Sequence, residues 1–142
     1  MNEYTYADIK VGMRISFDHR ISLQMEDSFR EITNDVNPLH QSDRYAAEIG
    51  DGRFRSHVTF GMLTASLLST VAGVYLPGKY SLIHSIEDIS FLKPVYANDL
   101  LTISAEVVDK NDELRLIIMK VTMRNQENTL VSRTKMKVLV MK

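Results

Sequence analysis

Gly61-Met62-Leu63-Thr64-Ala65-Ser66-Leu67-Leu68-Ser69-Thr70-Val71-Ala72-Gly73-Val74-Tyr75 is the stretch on which the fold turns. Its apolar residues, Met62, Leu63, Ala65, Leu67, Leu68, Val71, Ala72, Val74 and Tyr75, occupy nearly the whole circumference of a helix that Pro77-Gly78 closes. Such a helix has to be covered on most sides. The cover lies downstream, where the runs Tyr80 to Phe91, Leu100 to Val108, Leu114 to Arg124 and Thr129 to Met141 are β-rich. Turn signals at Lys93-Pro94, Lys110-Asn111-Asp112 and Asn125 to Asn128 separate them. Leu101, Ile103, Ala105 and Val107 alternate with Thr102, Ser104 and Glu106, as burial of one strand face requires. In the next run the apolar phase shifts from Leu114, Leu116 and Ile118 to Met119, Val121 and Met123, which predicts a bulge or strong twist. The expectation is a single α+β domain over residues 1–142: one long central helix wrapped by a curved antiparallel sheet of successive strands, its outer edge open for pairing.

Upstream, Ile15, Phe17 and Ile21 fit a strand, and Met25, Phe29 and Ile32 recur at helical spacing. Asn34 to His40 breaks that helix into a turn, and Ser42 is placed to cap a short helix ended by Gly50. The polar Asp51 to Ser56 stretch reads as surface loop. Charge adds little: 17 basic and 18 acidic side chains nearly cancel without a block of either sign, so neither nucleic acid nor an anionic membrane is an expected partner. With no cysteine, disulfides, thiolate metal sites and a cysteine nucleophile are all excluded. The absence of a signal-peptide pattern in Met1 to Lys10, and of any apolar run near the ~20 residues of a membrane span, gives the expectation of a soluble cytoplasmic protein.

Asp35-Val36-Asn37-Pro38-Leu39-His40 carries the chemistry of interest. Proline disfavours the helical conformation at Asn37, so this segment bends and can bring a carboxylate and an imidazole together. An Asp and a His that share a water supply both the base and the acid needed to hydrate an enoyl thioester. The alternative is local: Asp35 and Asn37 making Asx-type turn bonds, with His40 packing nearby. Gly61 has two readings as well. As the opening residue of the long helix it permits close approach of a ligand to an N–H that can hold an oxyanion, or it is small because a strand crosses it. His19, His57 and His84 lack metal-ligand spacing and read as surface or packed histidines. Ser66 and Ser69 lack a glycine elbow, which argues against a serine nucleophile.

Phe29-Arg30-Glu31-Ile32-Thr33-Asn34-Asp35-Val36-Asn37-Pro38-Leu39-His40 resembles the hydratase motif of MaoC-like (R)-specific enoyl-CoA hydratases. Gly61-Met62-Leu63, Leu76-Pro77-Gly78, Phe91-Leu92-Lys93-Pro94-Val95 and Asn98-Asp99-Leu100 continue the similarity in order along nearly the whole chain. The resemblance implies a hotdog fold, a homodimer joined sheet edge to sheet edge that can assemble further, and a site near the subunit interface. It implies that Asp35 and His40 activate water, that Asn37 supports the turn, and that Gly61 N–H polarises the thioester carbonyl with Phe60 and Met62 alongside. It implies no metal or redox cofactor, with coenzyme A or an acyl carrier as the substrate's handle. Two departures stand out: Phe60 replaces a histidine usual in the family, and His57 replaces a proline. Arg53 and Arg55, in the loop bordering the expected acyl pocket, are candidates for nucleotide phosphates, against the alternative of a solvated basic loop. The expected activity is hydration or dehydration of an acyl thioester; a hotdog thioesterase and a non-catalytic acyl-binding module are the competing readings.

Overall fold

Strand-forming sequence produces five strands in the computed structural model, which describes residues 1–142. They are β1 (Arg14–Arg20), β2 (Ser81–Phe91), β3 (Leu100–Asn111), β4 (Leu116–Arg124) and β5 (Leu130–Val140). All neighbours are antiparallel and the order across the sheet is β1-β3-β4-β5-β2. This corrects the expectation of four successive strands in a meander, which holds only for β3, β4 and β5. β2 pairs with β5 at the far edge, because residues 92–99 do not turn back as a hairpin. They cross to the other side of the sheet, tethered where Leu92 N–H donates to Val131 O and Val95 O accepts from Thr59 N–H. The phase shift in β4 has its cause in the partner strand: Val107 faces Met119 and Asp109 faces Ile118, so Val108 is an extra residue. At this bulge Leu116, Ile117, Ile118 and Met119 are all buried in succession.

The helical segments lie on the sheet's apolar face. α1 (Leu23–Thr33) is capped by Ser22, whose hydroxyl accepts from Met25 N–H, and α2 (Asp43–Gly50) by Ser42, which accepts from Tyr45 N–H. The central helix follows its predicted path but not as one regular element. α3 (Gly61–Ser66) tightens at Leu67, α4 (Leu68–Thr70) follows, and Val71–Tyr75 widens into a π turn in which Leu76 N–H reaches Val71 O at 2.8 Å. Met62, Ser66 and Ser69 form the one exposed stripe, while Leu63, Leu67, Leu68, Val71 and Ala72 join Ile103, Met119, Val121 and Val138 in a core of 22 buried residues. Each large aliphatic side chain in it contributes about 1.5 to 3 kcal/mol of burial. The N-terminal segment staples the helix end: Asn2 N–H donates to Val74 O and Lys79 N–H to Asn2 O. Gly78, at φ 88°, has no room for a side chain, since a Cβ there would lie 2.1 Å from Asn2 O.

Candidate active site

Nested side-chain to backbone bonds shape the turn after α1. Asn34 takes a left-handed φ of 55°, Asp35 Oδ1 accepts from Asn37 N–H at 3.0 Å, and Asn37 Oδ1 accepts from Leu39 N–H at 3.0 Å. Pro38 opens a single 3-10 turn, Pro38–His40, in which His40 N–H donates to Asn37 O. The turn thus aims His40 inward. Its Nδ1 lies 2.6 Å from Val58 O, a carbonyl that can only accept, so Nδ1 carries the proton. In the neutral ring Nε2 then holds the lone pair, and it has no protein partner. That is the state required of a general base.

One segment holds this ring from two sides. Val58 N–H donates to Leu39 O and Val58 O accepts from His40, while the Phe60 ring lies 4.3 Å from the imidazole at 31°. Phe60 is 2% exposed and also touches Phe29 at 5.2 Å. It is the floor beneath His40 and does not line the cleft. Next comes Gly61, first residue of α3, whose N–H has no acceptor within the helix. His40 and Gly61 line the same cleft of about 350 Å³ with Phe54, Thr64, Phe91, Lys93 and others. A Cβ on residue 61 would meet the Phe91 ring of β2 at 3.3 Å, so the residue is small where a strand side chain crosses it, which is the second of its two readings.

The other expected site residues lie elsewhere. Asp35 and Asn37 are exposed on the turn and do not line the cleft, and Met62 is 63% exposed on the outer face of α3. Arg53 Nε donates to Gly50 O, and Arg55 pairs with the buried Asp99 at 3.0 Å while lying 4.3 Å from the Tyr96 ring centre. Both arginines thus already have partners within the protein. No group of three or more His, Cys, Asp or Glu side chains is arranged to hold a metal.

A buried polar network escaped the sequence reading. Glu26 in α1 is 2% exposed; its Oε1 accepts from Thr59 Oγ1 and its Oε2 lies 2.9 Å from His57 Nε2. His57 Nδ1 lies 2.6 Å from Asp43 Oδ1, which also accepts from His57 N–H. With a carboxylate at each ring nitrogen, only the doubly protonated ring satisfies both. Burial opposes that charge, but the hydrogen bonds to Asp43 and then Glu26 outweigh it and hold His57 above its ordinary pKa of 6.5. Asp43 is correspondingly lowered, chiefly by the bond from the His57 backbone. The readable signal was Glu26 itself, set between Met25 and Phe29 on the inward side of α1, whereas Ile32 is 79% exposed.

Known proteins share this architecture. Over 110 residues the chain is 32% identical to a 3-hydroxybutyryl-CoA dehydratase of Methylorubrum extorquens, covering 78% of this chain and 68% of that protein. It is 34% identical over 99 residues to an (R)-specific enoyl-CoA hydratase of Aeromonas caviae, covering 70% and 71%. The solved A. caviae (R)-hydratase involved in PHA biosynthesis superposes with a TM-score of 0.84 at 27% identity, over 93% of this chain and 97% of that one. An unliganded R-hydratase of Pseudomonas aeruginosa superposes with a TM-score of 0.85 at 25% identity, over 96% and 84%. Residues 8–135 match the MaoC like domain, and with the five-stranded sheet around its central helix the chain belongs to the MaoC-like family of hotdog proteins.

Proposed function

We propose that the protein is a hydro-lyase acting on acyl thioesters, adding water to an enoyl-CoA to give an (R)-3-hydroxyacyl-CoA or removing it in reverse. The observation that carries this is His40, whose Nδ1 is committed to Val58 O while Nε2 is left without a protein partner in the cleft that also holds Gly61. In the hydration direction Gly61 N–H polarises the thioester carbonyl and His40 takes a proton from water as its oxygen bonds to the β-carbon, with Asp35, which sits exposed on the same turn and outside the cleft, required to turn inward to share that water. The same proton inventory protonates the α-carbon, so water is added across the double bond with nothing left over. Asn37 holds the turn through its bond from Leu39 N–H. Coenzyme A or an acyl carrier serves as the handle, and no metal or redox cofactor takes part. Incubation with crotonyl-CoA tests this: loss of enoyl absorbance without thiol release is expected, thiol release would mark a thioesterase, and neither signal would leave an acyl-binding module. Asp35→Asn should lower turnover by on the order of 10²-fold or more, and full activity in that variant would refute the assigned pair.

A homodimer completes the proposal. β2 pairs with β5 on one side only, and its Leu82, Ile83 and Ile86 are 55%, 36% and 44% exposed. An edge of that character invites pairing with a second copy. Ile86→Lys should shift the protein to monomer in analytical ultracentrifugation, and an unchanged dimer would place the interface elsewhere.

A further inference from the structure

Five consecutive residues, His57 to Phe60 and then Gly61, touch every part of the cleft chemistry described above. Val58 O sets the protonated nitrogen of His40, Phe60 packs against the face of its ring, and Gly61 lines the cleft beside it. This segment is not part of a helix or strand until Gly61, so regular secondary structure does not hold it. Its position comes from a few bonds: Val58 N–H to Leu39 O, Thr59 N–H to Val95 O, Thr59 Oγ1 to Glu26, and the three contacts of His57. His57 is the only member that ties the segment to both α1 and α2 at once, through Glu26 and Asp43. A buried carboxylate is costly to desolvate and persists where partners satisfy it. Here the partners, His57 and Thr59, both belong to the segment that faces His40.

We propose that His57, clamped between Glu26 and Asp43, is a positioning residue for the hydration reaction: it anchors the 57–61 segment and so fixes the tautomer and orientation of His40. This rests on the hydratase reading, and one arm of its test does not. Wild type and the variants Asp43→Ala, Asp43→Asn and His57→Ala are compared for crotonyl-CoA hydration, and the His40 ring is followed by ¹⁵N NMR of the whole protein. Asp43 is exposed, so Asp43→Ala is expected to remain folded even should His57→Ala fail to. His57→Ala should lower kcat about tenfold, with KM changed less than about twofold, because a loosened segment misplaces the catalytic ring without removing the binding surface. Asp43→Ala should lower kcat by a smaller factor. Asp43→Asn, which keeps an oxygen able to accept both His57 N–H groups, should restore it. In the spectrum His40 should change from a single Nδ1–H form to a mixture of tautomers in the Ala variants and return to one form in Asp43→Asn. Folded Asp43→Ala with unaltered kcat and an unaltered His40 spectrum would overturn the proposal. If the wild type does not hydrate crotonyl-CoA, the hydratase reading fails on its own, and the spectrum alone decides the positioning role.

Discussion

His57 begins the short segment to which His40 is hydrogen-bonded, yet their surroundings prepare the two rings for opposite tasks. His40 spends one ring nitrogen on a neutral carbonyl and keeps the other free in a cleft, a half-satisfied state that suits proton transfer. His57 has a carboxylate at each nitrogen and little solvent, a fully satisfied state that suits holding chain segments together. Residue type alone does not separate base from brace. The count of uncommitted nitrogens does.

The sharpest way to break this contrast is His40→Ala. Turnover should fall by on the order of 10²-fold or more while the melting temperature falls less than in His57→Ala, since the partly buried His40 ring has one hydrogen bond and its packing on Phe60 and leaves no buried charge behind. A large loss of stability with modest loss of activity would reverse the two roles. His57→Ala should show the complementary pattern in thermal unfolding. It leaves Glu26 buried with only Thr59 as partner, which costs about 3 kcal/mol, or roughly 6 to 12 °C in Tm. The smallest effect is its dependence on pH. Because the folded pKa of His57 is raised, its stabilisation is fully present below the unfolded value of 6.5 and fades as pH rises through the folded value. Asp43, whose pKa is lowered, contributes above 3.8 and loses that contribution as pH falls through its folded value. The Tm gap between wild type and His57→Ala should therefore be widest between pH 3.8 and 6.5 and narrow toward pH 9. A gap that widened with alkalinity would mean His57 is neutral in the folded protein.

Local features were legible in the amino-acid sequence and long-range ones were not. The path of the central helix, the cap at Ser42, the alternation in β3 and the bent turn before His40 follow from neighbouring residues, and each is present. The bulge was sensed in β4 but belongs to Val108 in β3, because a phase shift in one strand reports only that the pairing changes, not which strand holds the extra residue. The pairing of β2 with β5 depends on where a crossover runs, which periodicity does not encode. In the site, His40 and Gly61 were found by motif and lie on one cleft, whereas Phe60 was assigned to the substrate and instead packs beneath His40. The Glu26 to His57 bond was missed for a plain reason: its ends are 31 residues apart, and a glutamate in an amphipathic helix ordinarily faces water.

The segment from Val58 to Gly61 also carries a geometric constraint. The carbonyl and the aromatic ring that hold His40, and the amide of Gly61 beside it, are separated by covalent bonds alone, each residue spanning at most about 3.6 Å. Loops around the cleft can lengthen or change composition without altering the covalent spacing between Val58 O and Gly61 N–H. A single residue inserted there would shift all three groups at once. Phe54 and Lys93 reach the cleft from other segments, so changes there leave the spacing within 58–61 untouched.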